Sequence, residues 1–399
     1  MIITAKRLIT GDGKTVIPQG AVLLKDGKIQ EVGEYAVLRA QHPEVTCVEE
    51  YGDATLLPGL IDMHVHIGYW YNRRDKELYD KYLVGYMALD IAQRALRSGV
   101  TTMRDLSSAG GVCQSLIVAS KKGFLRIPRI IHCNKALNAT GGHAWQAGDS
   151  IVEVDGEDEI RKAVREQVRA GAQWIKVMSS HRTPGISEYT QEELNVAVDE
   201  ARRNLRKTAI HSSLQPSLEY AVNAGFDTIE HGTDLTEDQA ERMIAKGMAW
   251  TPTVLVHHNA YTRLQAIIDA GESHNLNEAQ WQTYRIYGAS NASFRRNLKA
   301  FHDMGMTIVS GTDMIGEGAK PAPVAAELAV MVEYGLTPLQ AIAVGTSNCA
   351  RVLGMEGEIG ILAAGAQGDI LVVEGDPMAD IGTLEKVKAV YSSGEKVCE

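Results

Sequence analysis

The chain has 399 residues, 45% of them hydrophobic and 23% charged, which argues against disorder and leaves enough apolar material for one large unit and a small one. A formal net charge of -10 without any basic run argues against a nucleic-acid partner, which needs clustered Lys and Arg. The five cysteines (Cys47, Cys113, Cys133, Cys349 and Cys398) are scattered without CxxC spacing, so neither a disulfide framework nor a thiolate zinc site is indicated, and a cytoplasmic location is expected.

In chain order, the first fifty-odd residues read as short strands with turn punctuation: 1–8, a Gly11-Asp12-Gly13 turn, 20–25, Asp26-Gly27 and 28–32. No apolar leader opens this stretch, and no later run approaches the ~20 apolar residues of a membrane span. From about residue 60 apolar β runs alternate with helical stretches, and glycines such as Gly99, Gly171, Gly225 and Gly247 stand where each helix should close. The expected strands are 60–67, 100–106, 129–134, 174–178, 208–212, 228–232, 248–254 and 307–313. Eight βα repeats suit a closed parallel (β/α)8 barrel, although an open doubly wound sheet uses the same local pattern. Thr190-Gln-Glu-Glu begins an amphipathic helix with Leu194, Val198 and Ala201 on one face. The polar spacer 271–282 reads as an irregular loop, and a helix is expected over 338–353. Turn-rich β character then returns over 360–365, 369–373 and 387–391.

The residues able to do chemistry sit at the ends of these runs. Pro58-Gly-Leu-Ile-Asp-Met-His64-Val-His66 is an apolar strand ending in two histidines at i and i+2, which alternation puts on one face, as a divalent metal such as zinc would require. Taken alone the pair is equally a chance occurrence of polar residues at a strand end. His211 and His231 each end an apolar run, and Asp313 ends Ile-Val-Ser-Gly-Thr, so three more ligand types occupy matching places. Lys176, inside Trp-Ile-Lys-Val-Met, is costly to bury as an ammonium. It therefore either pairs with a carboxylate or reacts with CO2 to give an anionic carbamate that bridges two metals. His143 follows Thr140-Gly-Gly and is either a donor to a developing oxyanion or a loop histidine bonded to backbone. Trp70, after Gly68-Tyr69, and Trp145 crowd the same rim, where they either meet an apolar part of a substrate or pack loops or an interface between copies. His181, Arg182, His257 and His258 are further rim candidates.

These motifs resemble the amidohydrolase superfamily: the PGLID-x-H-x-H element, the Lys-bearing fourth strand, the two later histidines and the Gly-Thr-Asp of the eighth strand span nearly the whole chain. Thr228-Ile-Glu-His231-Gly and Thr251-Pro-Thr253 are similar to its imidazolonepropionase-like and Xaa-Pro dipeptidase-like branch. The resemblance implies a (β/α)8 TIM barrel over 57–356 with a small β-sandwich built from both termini, 1–56 and 357–399. It implies two divalent ions, zinc being expected, held by His64, His66, Lys176, His211, His231 and Asp313, with Lys176 carboxylated. A homo-oligomer is also expected. The implied reaction is hydrolysis of a C–N bond in a small amide, peptide-like or urea-like molecule. Paired cations lower the pKa of a shared water to give hydroxide near neutral pH, and Asp313 serves as base and then acid.

The chain departs from the dipeptidase pattern at one place. His-Ala-Tyr or His-Ala-His is usual after the fifth strand, with the third residue touching substrate; here it is His211-Ser212-Ser213, so Ser213 takes that position and leaves a larger pocket. Two alternatives stand beside the binuclear reading. One is a single-metal imidazolonepropionase-like cyclic amidohydrolase or deaminase, which does not need Lys176. The other is a catalytically silent assembly barrel.

Overall fold

The computed structural model describes residues 1–69, 81–180, 185–315 and 323–398. The terminal segments form two sheets. One has four strands in the order Lys28–Glu34, Gly20–Lys25, Ile2–Thr4 and Val48–Glu50; the other has six, Glu395–Cys398, Val387–Ser392, Ile370–Glu374, Ala54–Pro58, Arg7–Ile9 and Val16–Pro18. Both chain ends therefore share a sheet, with Leu371 opposite Leu57 in an antiparallel pair. Ile3, Leu8, Val22, Leu56, Ile370 and Val372 bury their apolar side chains in one cluster between these strands.

Three expectations for the termini change. The Tyr35–Gln41 segment is a short helix inside the otherwise β start. The 1–8 strand is two, Ile2–Thr4 and Arg7–Ile9. Residues 360–365 form turns, because their backbone donors bond singly to the opening strands, Leu362 N to Thr10 O and Gly365 N to Ile29 O, each at 2.8 Å, and no ladder forms.

Between the termini lie parallel strands alternating with helices. A four-stranded sheet runs in the order Arg129–His132, Val100–Asp105, Leu60–His66, Met314–Ile315. A seven-stranded sheet runs Ile151–Glu153, Ala136–Asn138, Trp174–Met178, Lys207–Ser212, Thr228–His231, Ala249–Thr251, Thr307–Ile308. Backbone hydrogen bonds join the two sheets: Gln173 N donates to His132 O at 2.9 Å, and Met63 N to Ser310 O at 3.0 Å. Helices bury one stripe on the sheets, as in Gly156–Arg169, where Ile160, Ala163 and Val164 face inward and Glu157, Asp158 and Glu159 occupy the first turn. Thr190 and Glu193 form the expected capping box.

The sequence reading needs correction where backbone geometry interrupts a run. The 129–134 strand stops at His132 and resumes as Ala136–Asn138, Asn134 having a left-handed φ of 62°. The 248–254 run shortens to Ala249–Thr251, because Pro252 lacks an N–H and Thr253 turns to φ 52°. The 307–313 run breaks after Ile308 and resumes as Met314–Ile315, paired beside Val65 and His66. In that break Gly311 lies against the first strand, where a Cβ would meet the His64 Cβ at 2.7 Å. The expected 271–282 loop ends early: 271–277 connects two helices and contains the short 3-10 turn Ser273–Asn275, and Asn277 caps the 26-residue Glu278–Asp303 helix. The 338–353 helix is two, Pro338–Val344 and Ser347–Leu353. Among the described residues no helix is long and apolar enough to cross a membrane.

Candidate metal centre

Alternation along Leu60–His66 turns Asp62, His64 and His66 to one face, and all three are buried. Asp62 accepts from Thr312 Oγ1 at 2.7 Å and Thr312 N at 3.1 Å, which fastens the segment before Asp313 to this strand. Burial pushes the Asp62 carboxyl up to about 6. Asp313 N in turn donates to His64 O at 2.8 Å. Asp313 has φ 52°, a conformation that a non-glycine residue holds only when its surroundings fix it.

Three ligand atoms converge as a result. His64 Nε2 and His66 Nε2 are 3.2 Å apart, and Asp313 Oδ1 lies 3.5 Å from the first and 3.4 Å from the second. The other ring nitrogens are engaged: His64 Nδ1–H donates to Glu230 Oε2 at 2.8 Å, and His66 Nδ1–H to Ser107 O at 3.2 Å. With the protons on Nδ1, two Nε2 lone pairs point at each other, an arrangement that a cation between them would relieve. Burial holds the His64 imidazole well below its usual pKa, so it stays neutral, as a ligand must. Burial alone would raise the Asp313 carboxyl, but the imidazoles of His66, His64 and His231 around it hold it below the carboxylate range.

A second group lies alongside. His231 packs 5.2 Å from His64 and 4.4 Å from His211, and His143 stacks on His211 at 4.1 Å. His231 Nδ1–H donates to Thr253 Oγ1 at 2.7 Å, since that hydroxyl gives its own proton to Pro252 O, also at 2.7 Å. Nε2 of His231 is thereby left as a lone pair, and burial lowers this residue to about 3. His211 also sits well below its usual range, first from burial and then from His143.

Lys176 is fully buried, and its Nζ has no hydrogen-bond partner among the described residues. Burial lowers its pKa from the usual lysine range, against the pull of Glu230 and Asp313. The donor set of imidazoles, carboxylate and modifiable lysine therefore fits divalent metal.

The structure thus brings together His64, His66, His211, His231, Asp313, Lys176 and His143. Trp145 is 56% exposed, at the surface. Ser213 uses its carbonyl to hold the loop after His231, accepting from Thr233 Oγ1 at 2.9 Å and Asp234 N at 3.0 Å. Trp70, His181 and Arg182 lie outside the described residues.

Sequence reasoning missed the groups behind the ligands. Glu230, fully buried, accepts from Arg104 at 2.9 Å as well as from His64, and Arg104 also reaches Met63 O at 2.6 Å and Thr228 Oγ1 at 3.0 Å. Glu188 holds the His143 loop by accepting from His143 N at 2.7 Å, and burial raises it to about 7. Glu327 accepts from Val254 N at 2.9 Å and Leu255 N at 2.6 Å, fixing the turn that carries Thr253. A buried charge within the Val100–Asp105 strand, as Arg104 is, was the signal available for the first of these.

Residues 55–397 match the Amidohydrolase family, and residues 20–44 match an imidazolonepropionase-like composite domain of bacteria. Ochratoxinase of Aspergillus niger is 29% identical over 430 aligned positions, covering 98% of this chain and 84% of that one. Its crystal structure superposes with a TM-score of 0.83 at 28% identity, covering 99% of this chain and 94% of that one. The structure of a Xaa-Pro dipeptidase with methionine bound in its active site gives a TM-score of 0.85 at 26% identity, covering 99% and 98%. Imidazolonepropionase of Symbiobacterium thermophilum is 25% identical over 392 positions, covering 90% and 84%.

Proposed function

The chain belongs to the amidohydrolase family, and from that premise we propose that it is a metal-dependent hydrolase cleaving a C–N bond of a small molecule at the His64–Asp313 centre. The observation that carries the reading is the convergence of His64 Nε2, His66 Nε2 and Asp313 Oδ1 beside the unpartnered Lys176 Nζ. The likeness to a Xaa-Pro dipeptidase supports a peptide-like bond. Parallel strands joined sheet to sheet by backbone bonds support a (β/α)8 barrel over 57–356, and the shared terminal sheets support a composite β-sandwich of 1–56 and 357–399.

His64, His66 and Asp313 would hold one ion, His211 and His231 the other, and Lys176 as its carbamate would bridge, zinc suiting this donor set. When bound, divalent ions supply a lowered water pKa and a polarised carbonyl. Once deprotonated, the Lys176 amine attacks CO2 and the resulting carbamic acid releases one proton, which leaves an anionic oxygen donor in place of an uncharged nitrogen. Asp313 Oδ takes a proton from the attacking water and passes it to the leaving nitrogen, which cannot depart as an amide anion. His143 donates to the carbonyl oxygen as charge grows there.

A one-metal imidazolonepropionase-like or deaminase reading draws support from there being one tight ligand trio among the described residues and from the 20–44 match. The buried Lys176 weighs against it, since one ion gives that nitrogen no partner. Turnover of N-acyl amino acids, dipeptides, aryl ureas and cyclic amides by metal-loaded full-length protein tests the proposal. Hydrolysis of an open-chain amide or urea that chelation abolishes is expected; no turnover on any open-chain substrate overturns it.

A further inference from the structure

His257 stands beside the ligand row without belonging to it. It occupies the first turn of the Val254–Asp269 helix and is only 9% exposed. Tyr287 at 5.0 Å and Phe294 at 5.3 Å meet its ring edge to face, and Asn291 Nδ2 donates to its carbonyl at 3.0 Å, so backbone and ring are both fixed. Its remaining ring neighbour is His231 at 6.2 Å, and it feels the charge of Asp313.

Nδ1 of His257 is sealed in with no partner among the described residues. The imidazole proton belongs where it can be bonded, on Nε2, because a buried N–H without an acceptor is the more costly arrangement. His257 thus offers one neutral N–H rather than a lone pair, which makes it a donor to substrate and not a metal ligand.

Position then indicates which part of the substrate it meets. His143 and His257 bracket the row, the first stacked on His211 and the second beside His231. With His143 at the carbonyl oxygen and Asp313 protonating the leaving nitrogen, the amine arm lies on the Asp313 side. We infer that His257 Nε2–H binds an oxygen acceptor carried by the leaving amine and so determines specificity for that arm, an inference that rests on the proposed amide hydrolysis.

The test uses metal-loaded full-length protein and its His257→Phe and His257→Asn variants, with melting temperature and metal content measured first. Three substrates share one acyl group: an N-acyl amino acid, its carboxamide, and the amide of the matching amine that lacks both. The inference expects His257→Phe to raise KM for acceptor-bearing substrates, with a loss in kcat/KM at least tenfold greater than for the plain amide. His257→Asn, which keeps an N–H donor, should restore part of that loss. Calorimetry should show the free amino-acid product binding the parent more tightly than the plain amine, and His257→Phe removing the difference. The carboxylate and carboxamide arms tell an anionic from a neutral acceptor. Equal losses on all three substrates, or none, overturn the role of His257 while amide hydrolysis stands; absence of turnover in the parent overturns both.

Discussion

At the His64–His66–Asp313 end of the centre, each histidine nitrogen that does not face inward has a partner, Glu230 for one ring and the Ser107 carbonyl for the other. At the Lys176 end the buried nitrogen has none among the described residues, and His211 stacks on His143. The first end is fixed by the polypeptide alone, through Arg104, Glu230 and Asp62. On the proposed function, the second would be completed by what binds there. A site divided this way would take its first ion into a rigid pocket and its second only once Lys176 has become an oxygen donor.

Several substitutions would break or sharpen that contrast. The largest effect is expected at the fixed end: Asp313→Asn should lower kcat by about 10^2- to 10^4-fold, measured in steady state with metal content determined on the same samples. Next, Glu230→Gln should weaken metal affinity about 10- to 100-fold in chelator competition, because His64 loses the acceptor that sets its proton on Nδ1. If Glu230→Gln binds metal like the parent, the rigidity assigned to this end is wrong.

At the other end, Lys176→Met should change sign with loading. Metal-free variant should melt a few degrees above metal-free parent, since an unpaired buried nitrogen has gone. Metal-loaded variant should lose the second ion and its activity. A metal-free variant that melts below the parent would show that Lys176 has a partner after all.

The smallest effect concerns acid. Burial depresses His231 to about 3 and His257 to about 4 from the usual 6.5. The unfolded chain therefore binds more protons between those values, and the stability these residues contribute is complete above pH 6.5 and falls as pH drops toward 3. Denaturant midpoints of metal-free protein should decline over that window; a flat profile between pH 6.5 and 4 would contradict the buried neutral histidines.

The candidate ligands were legible because they obey strand periodicity. His64 and His66 share a face by alternation, and Lys176 betrays itself as a charge inside an apolar run. The supports were hidden for two physical reasons. Glu230 and His231 are adjacent, so alternation assigns them to opposite faces; a left-handed His231, φ 68°, brings both to the centre. Glu327 meets Val254 and Leu255, next to Thr253, through tertiary packing of two helices distant in sequence. Asp313 was placed at a strand end, yet it sits at φ 52° in the break before Met314–Ile315, where Gly311 brings that segment against His64. The 271–282 spacer misled because polar composition resembles a loop, whereas Asn277 with Gln280 is a helix start.

Metal analysis of fully active protein, combined with carbon NMR after incubation with 13C-bicarbonate, tests the centre most directly. The account predicts two ions per chain and a carbamate signal that Lys176→Met abolishes. Full activity with one ion per chain and an unmodified Lys176 would contradict it.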